Sequence, residues 1–184
     1  SQSDMTSYLI WTHGIPIILD PGYLQYSMRD LVGNAQQHNV VLVNGQGPPN
    51  GAPLQPGGAD AFTEESFSIP GIDYARITTS YSGAMITRHL FNITDSVFVN
   101  IDKCTSQSPQ KFTHQVHGNG LINGNEQTGF AYWQNSGPST TMTWERDSAR
   151  ADALWSAVPL ETFVADTSLH EEAYRKTGTH SVLR

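Results

Sequence analysis

Short runs rich in Val, Ile, Thr, Tyr, Phe and Trp recur along the chain between clusters of Gly, Pro, Asn and Ser. This rhythm predicts an all-β fold, an antiparallel β-sandwich, because period-two runs bounded by turn residues give strands with one face to bury. SYLIWT (Ser7 to Thr12) and IPIIL (Ile15 to Leu19) flank His13 and Gly14 and read as a hairpin. YARITTSY (Tyr74 to Tyr81) and AMITRHLF (Ala84 to Phe91) flank Ser82 and Gly83 and read as another. NVVLVN (Asn39 to Asn44), SVFVNID (Ser96 to Asp102), KFTHQVH (Lys111 to His117) and GFAYWQ (Gly129 to Gln134) continue the series. TTMTWE (Thr140 to Glu145), ETFVAD (Glu161 to Asp166) and the terminal THSVL complete it. Alternation is clearest in Ala84 to Phe91 and Ser96 to Asp102, as expected of half-buried strands.

Two segments read differently. SARADALWSAV, beginning at Ser148, fits either a short helix capped by Ser148 and stopped before Pro159, or a strand after a loop. Gly45 to Gly58 concentrates glycine and proline, which cannot ladder or coil regularly, and reads as a surface loop.

Size and charge narrow the picture. At 184 residues the chain is expected to form one domain over residues 1–184, large enough to fold around a core without disulfides or a structural metal. Ten Lys and Arg against 17 Asp and Glu give a net charge of -7, which argues against nucleic acid as a partner, since phosphates demand a basic face. The single cysteine, Cys104, allows no internal disulfide and carries no signature of compartment. Neither a signal peptide nor an apolar run of about 18 residues is visible, so no membrane partner is expected. Strand-like pattern begins almost at once and continues to HSVLR, so the chain reads as a piece of a longer protein, truncated at both ends.

Three constellations carry candidate chemistry. Asp20 and His38 pair a carboxylate with an imidazole, a donor set suited to zinc. Asp20 also opens a DPG turn, where its side chain is equally placed to bond the backbone two residues on. His114 and His117 lie three apart, which on a strand sends them to opposite faces, so one of them is expected to face a cleft. Tyr23, Tyr26 and Arg29 share a loop between strands: arginine clamps carboxylates, and tyrosines stack on sugars or move protons. The same tyrosines would equally serve to cover a sheet end. The sequon Asn92-Ile93-Thr94 matters only in a secreted eukaryotic chain, GNGLING follows no strand-to-helix switch, and no serine sits in a nucleophile elbow.

THGIPIILDPGY followed by QHNVVLVNGQ resembles the central β-sandwich region of the heparinase II/III-like polysaccharide lyases, as do MITRHLFNITDSVFVNID, with Arg88 and Asp102, and the histidine of QVHGNG. The resemblance covers Asp4 to His117 and, more loosely, LHEEAY at Leu169 to Tyr174. It implies a β-sandwich packed against an upstream α/α toroid domain, with an acidic polysaccharide cleaved in the cleft between them. By the same resemblance Asp20 and His38 match two ligands of a zinc ion, while Gln2 stands where the third ligand, a histidine two before Asp4, is expected.

The reaction so implied is β-elimination on a uronic-acid glycan of the alginate or heparin and heparan class, with most catalytic residues on the toroid. Within this chain Tyr26 is the candidate catalytic residue, and Tyr23, Arg29 and His117 are the candidate substrate-binding residues. The chain alone is expected to be inactive, and the parent lyase to be periplasmic or secreted. The alternative is a non-catalytic carbohydrate-binding β-sandwich, in which the tyrosine loop grips sugar.

Overall fold

A computed structural model describes residues 3–49, 60–119, 121–122, 134–136, 139–156 and 164–184. In chain order the strands are β1 (Ile10–Thr12), β2 (Ile15–Ile18), β3 (Val41–Val43), β4 (Ala61–Ile69), β5 (Ile72–Tyr81), β6 (Ala84–Ile93), β7 (Val97–Ser106) and β8 (Phe112–His114). They continue as β9 (Val116–Gly118), β10 (Leu121–Ile122), β11 (Gln134–Ser136), β12 (Ser139–Arg146), β13 (Ala149–Ser156), β14 (Ala165–Ala173) and β15 (Lys176–Leu183). The fold is mostly β and antiparallel, as the alternation predicts. The loop expected between Asp20 and His38 instead holds 3-10 turns at Tyr26–Met28 and Ala35–Gln37 and a single helical turn, α1 (Arg29–Val32).

The chain divides into two compact units. The first comprises 1–7, 33–36 and 40–113. Its main sheet is the meander β4-β5-β6-β7. Ser82 and Gly83 connect β5 to β6 with φ of 53° and 73°, a turn that needs two left-handed residues and so twists with its strands. The inner face packs Tyr81, Ala84 and Ile86 on Val41 and Val43, and Tyr81 donates its hydroxyl hydrogen to the Val41 carbonyl. On the same face Arg88 is fully buried, forked onto Asp102 through Nε at 2.7 Å and Nη2 at 2.9 Å. The sequence reading had no strand at β4. Its centre, Thr63-Glu64-Glu65-Ser66, is polar, and the register slips between Thr63 and Glu65, so the apolar alternation is broken where a reader looks for it.

The second unit comprises 8–32, 37–39 and 114–184. Its principal sheet runs β1-β2-β9-β15-β14, and β12 pairs with β10, β11 and β13 in another. The core gathers Ile17, Ile18, Val116, Ala149 and Leu183 around Trp144, which is fully buried and donates Nε1–H to Ser181 Oγ at 2.9 Å. Gly118 lies against that indole so closely that a Cβ there would fall 2.0 Å from Trp144 Nε1, and no side chain fits. Of the two readings for residues 149–156, strand prevails. Alternate residues are exposed, and the run pairs with β12 over its full length. KFTHQVH, expected as one strand, is split into β8 and β9, which belong to different sheets. Residues 129–133 and 161–163, within two expected strands, lie outside the described residues.

Candidate functional site

The site is assembled where β2 ends. Leu19 N–H donates to the His117 carbonyl at 3.0 Å, the last ladder bond before the chain turns at Asp20-Pro21-Gly22. Asp20 then uses its two oxygens separately. Oδ1 accepts the Gly22 N–H at 3.1 Å, which is the turn role, and Oδ2 lies 2.6 Å from His38 Nδ1. Asp20 therefore forms the turn and contacts His38 at once. His38 is fully buried, and its Nε2–H donates to the Val32 carbonyl at 2.9 Å, closing the end of α1.

Asn39, also fully buried, ties three segments of the chain together. Its Nδ2 donates to the Tyr8 and Leu19 carbonyls at 2.8 and 2.9 Å, and its Oδ1 accepts the His117 N–H at 2.8 Å. Gln115, turned inward between β8 and β9, donates to the His38 carbonyl at 2.7 Å. Glu171 of β14 holds the turn from outside: its N–H donates to the Pro21 carbonyl at 2.9 Å and its Oε2 accepts the Tyr23 N–H at 3.3 Å. Beyond this latch the loop presents Tyr23 and Tyr26, 80% and 81% exposed. Arg29 is exposed beside Tyr26, donates Nη1–H to its phenol oxygen at 3.2 Å, and holds its guanidinium carbon 5.4 Å from the ring centroid. Because the guanidinium supplies a donor to that oxygen, the phenol hydrogen stays available to another acceptor.

His117, expected among the sugar-binding residues, lies apart from this surface. It is fully buried on β9, with Nδ1 2.7 Å from His180 Nε2, and His180 Nδ1 is 3.3 Å from His170 Nδ1. Burial, and then the two flanking rings, hold His180 well below the ordinary histidine range; burial also lowers His170. The one carboxylate that supports a proton on His170, Glu172, is already bonded to Arg146 at 2.5 Å and Lys176 at 2.9 Å. The sequence reading missed this chain of imidazoles and the latch by Glu171. Folding β14 and β15 about Tyr174 and Arg175 would have exposed the first, since it sets His170 and His180 on one face.

A stability prediction follows from this chain. The unfolded protein takes up protons at its histidines below about pH 6.5, while folded His180 and His170 resist them. Stability should be fully present above that pH and decline as pH falls through 6.5 toward the folded values, by up to about 1.4 kcal/mol per pH unit for each histidine. Urea midpoints from pH 8 to 5 should show this decline in the wild type and a flatter profile in His180→Gln. A wild-type midpoint that does not change over that interval would refute it.

The fit to zinc can be judged from the donors. Both ring nitrogens of His38 are engaged, by a carboxylate and a carbonyl, so neither is turned to an open coordination position. Among the described residues no three His, Cys, Asp or Glu side chains are grouped to hold an ion. Gln2 lies outside the described residues. The pair as arranged therefore does not fit zinc. Nor does Cys104 offer a nucleophile, since burial and then Asp102 push its thiol up to about 11.

The profile described as Heparinase II/III-like, C-terminal, matches residues 1–183. The chain belongs to this family. Among curated proteins none matches it. In fold, this heparinase II/III-like domain is similar to the heparan sulfate lyase HepC from Pedobacter heparinus, with a TM-score of 0.72 at 13% identity, over 100% of this chain and 28% of that one. It is also similar to the heparinase III that is the BT4657 gene product, with a TM-score of 0.62 at 15% identity, over 99% of this chain and 27% of that one. The chain thus spans little more than a quarter of the length of either solved structure.

Proposed function

We propose that this heparinase II/III-like domain forms one wall of the glycan cleft of a polysaccharide lyase acting by β-elimination on uronic-acid polymers. Support comes from the family membership and from the two structures similar in fold, a heparan sulfate lyase and a heparinase III. The observation that carries the reading to particular residues is the loop of Tyr23, Tyr26 and Arg29. Two tyrosines and an arginine stand exposed on a turn held by the contact of Asp20 with His38 and by the bonds of Pro21 and Tyr23 to Glu171.

The chemistry assigns each a task. In β-elimination a base takes the C5 proton of the uronic acid, a C4–C5 double bond forms, the C4–O bond breaks, and the leaving glycosidic oxygen takes a proton. Removal of the C5 proton becomes easier as the adjacent carboxylate is neutralised, and Arg29, with guanidinium hydrogens beyond the one given to Tyr26, is the group in this loop that supplies the charge. Tyr26 is the proton donor to the leaving oxygen, because its phenol hydrogen is not spent on its neighbour. Tyr23 supplies a ring face to the sugar. The base comes from the helical domain of the parent lyase. No step passes through zinc.

The test is a calorimetric titration of heparan sulfate and alginate oligosaccharides into the 184-residue chain. Saturable binding is expected, weakened at least about tenfold, or ~1.4 kcal/mol, in Tyr26→Ala and Arg29→Ala. Absence of saturable binding, or equal affinity in both variants and the wild type, rejects the assignment of this loop.

A further inference from the structure

The register of the β4-β5-β6-β7 meander sorts its side chains into two faces. Residues opposite Tyr81 and Ile86 line the core described above. Residues in register with Tyr74 and Phe91 form the outer face, which carries a large apolar patch among polar positions such as Arg76, Thr78, Thr87 and His89. Phe67, Tyr74 and Phe91 stand in register across β4, β5 and β6, with ring centroids 5.0 and 4.7 Å apart. Around this ladder lie Phe62, Ile69, Met85, Val97 and Ile101. Together with Phe67, these six side chains are between 44% and 62% exposed. A half-buried strand ordinarily turns polar side chains to water, so an apolar patch of this size on the face turned from the core is one built to be covered.

We infer that this outer face is covered by the same face of a second copy of the chain, in a two-fold dimer. Area supports it. Four strands about 4.8 Å apart and some ten residues long at ~3.3 Å each give a flat footprint of roughly 600 Å². Side-chain relief raises the accessible area toward the ~800 Å² per partner of a stable interface. Charge supports it too. Glu65 stands on the edge strand β4, where it and the bulged Glu64 pair with Arg76 of the inner strand β5, and Lys103 stands on the opposite edge strand β7, one same-face step along the strand from the level of Glu65. A two-fold axis parallel to the strands lays β4 of one copy over β7 of the other. Each Glu65 then approaches the second copy's Lys103, and the aromatic ladders meet at the centre. The sheets would stack about 10 Å apart, as aligned layers do.

Sedimentation velocity on the chain over a concentration series tests this. A monomer–dimer equilibrium is expected, with Phe67→Glu and Ile101→Glu monomeric throughout and unchanged in far-UV circular dichroism and thermal midpoint. Lys103→Glu should raise the dissociation constant about tenfold, and adding Glu65→Lys to it should restore the dimer, since the reversed charges again meet opposite ones. A wild type that stays monomeric means that the face is covered by another part of a longer polypeptide and overturns the inference. So does a dimer that survives both glutamate variants, association that grows without limit, or a failure of the double reversal to restore what Lys103→Glu loses.

Discussion

Arg88→Met is expected to destabilise the chain by about 3 to 5 kcal/mol, read as a fall in the urea midpoint at unchanged slope. The guanidinium is fully buried and donates to both oxygens of Asp102 and to the Thr6 carbonyl, the last at 2.5 Å. Methionine fills much of the volume but leaves the Asp102 carboxylate, only 10% exposed, without its counter-ion, although Asn100 Nδ2–H still donates to it at 3.3 Å. The cost is that of a buried charge whose counter-ion has gone, so removing the charge as well should recover most of it. Arg88→Met combined with Asp102→Leu is expected to lie within about 2 kcal/mol of the wild type. A single variant that loses less than ~1 kcal/mol would show that water reaches Asp102.

The second large effect is expected of His38→Ala, at about 3 kcal/mol, from the cavity left by a fully buried ring and from stranding Asp20 Oδ2 and the Val32 carbonyl. Its signature extends beyond stability. Asp20 and α1 bracket the tyrosine loop, so amide hydrogen exchange over residues 22–29 should quicken in the variant well beyond the change elsewhere in its unit. Uniform acceleration would mean that His38 supports the core and not the loop. Asp20→Asn keeps an acceptor for Gly22 and is expected to cost less, about 1 to 2 kcal/mol.

Much of the fold can be read in the residues. The turn pairs His13-Gly14 and Ser82-Gly83 mark two hairpins because they tolerate the left-handed backbone that such turns require. β4 was illegible because a bulge and a polar centre erase its alternation, and its outward residues look like surface in a chain read alone. KFTHQVH reads as continuous because Gln115 breaks it only through a bond to His38, 77 residues away. The same limit governs the site. That Asp20 and His38 converge was legible through family resemblance, and the geometry brings them to 2.6 Å. The fate of His117 was not, since its ring partner lies on a hairpin 63 residues further on, and no local pattern announces such a pairing.

The strand order β1-β2-β9-β15-β14 constrains how the molecule comes into being. Among the described residues β9, three residues long, is the one strand that joins the β1-β2 hairpin to the β14-β15 hairpin, so the sheet cannot be completed from sequence neighbours alone. Closure must wait until β15 leaves the ribosome, and then search across loops of about a hundred residues, a topology that places refolding in the slow, millisecond-to-second class.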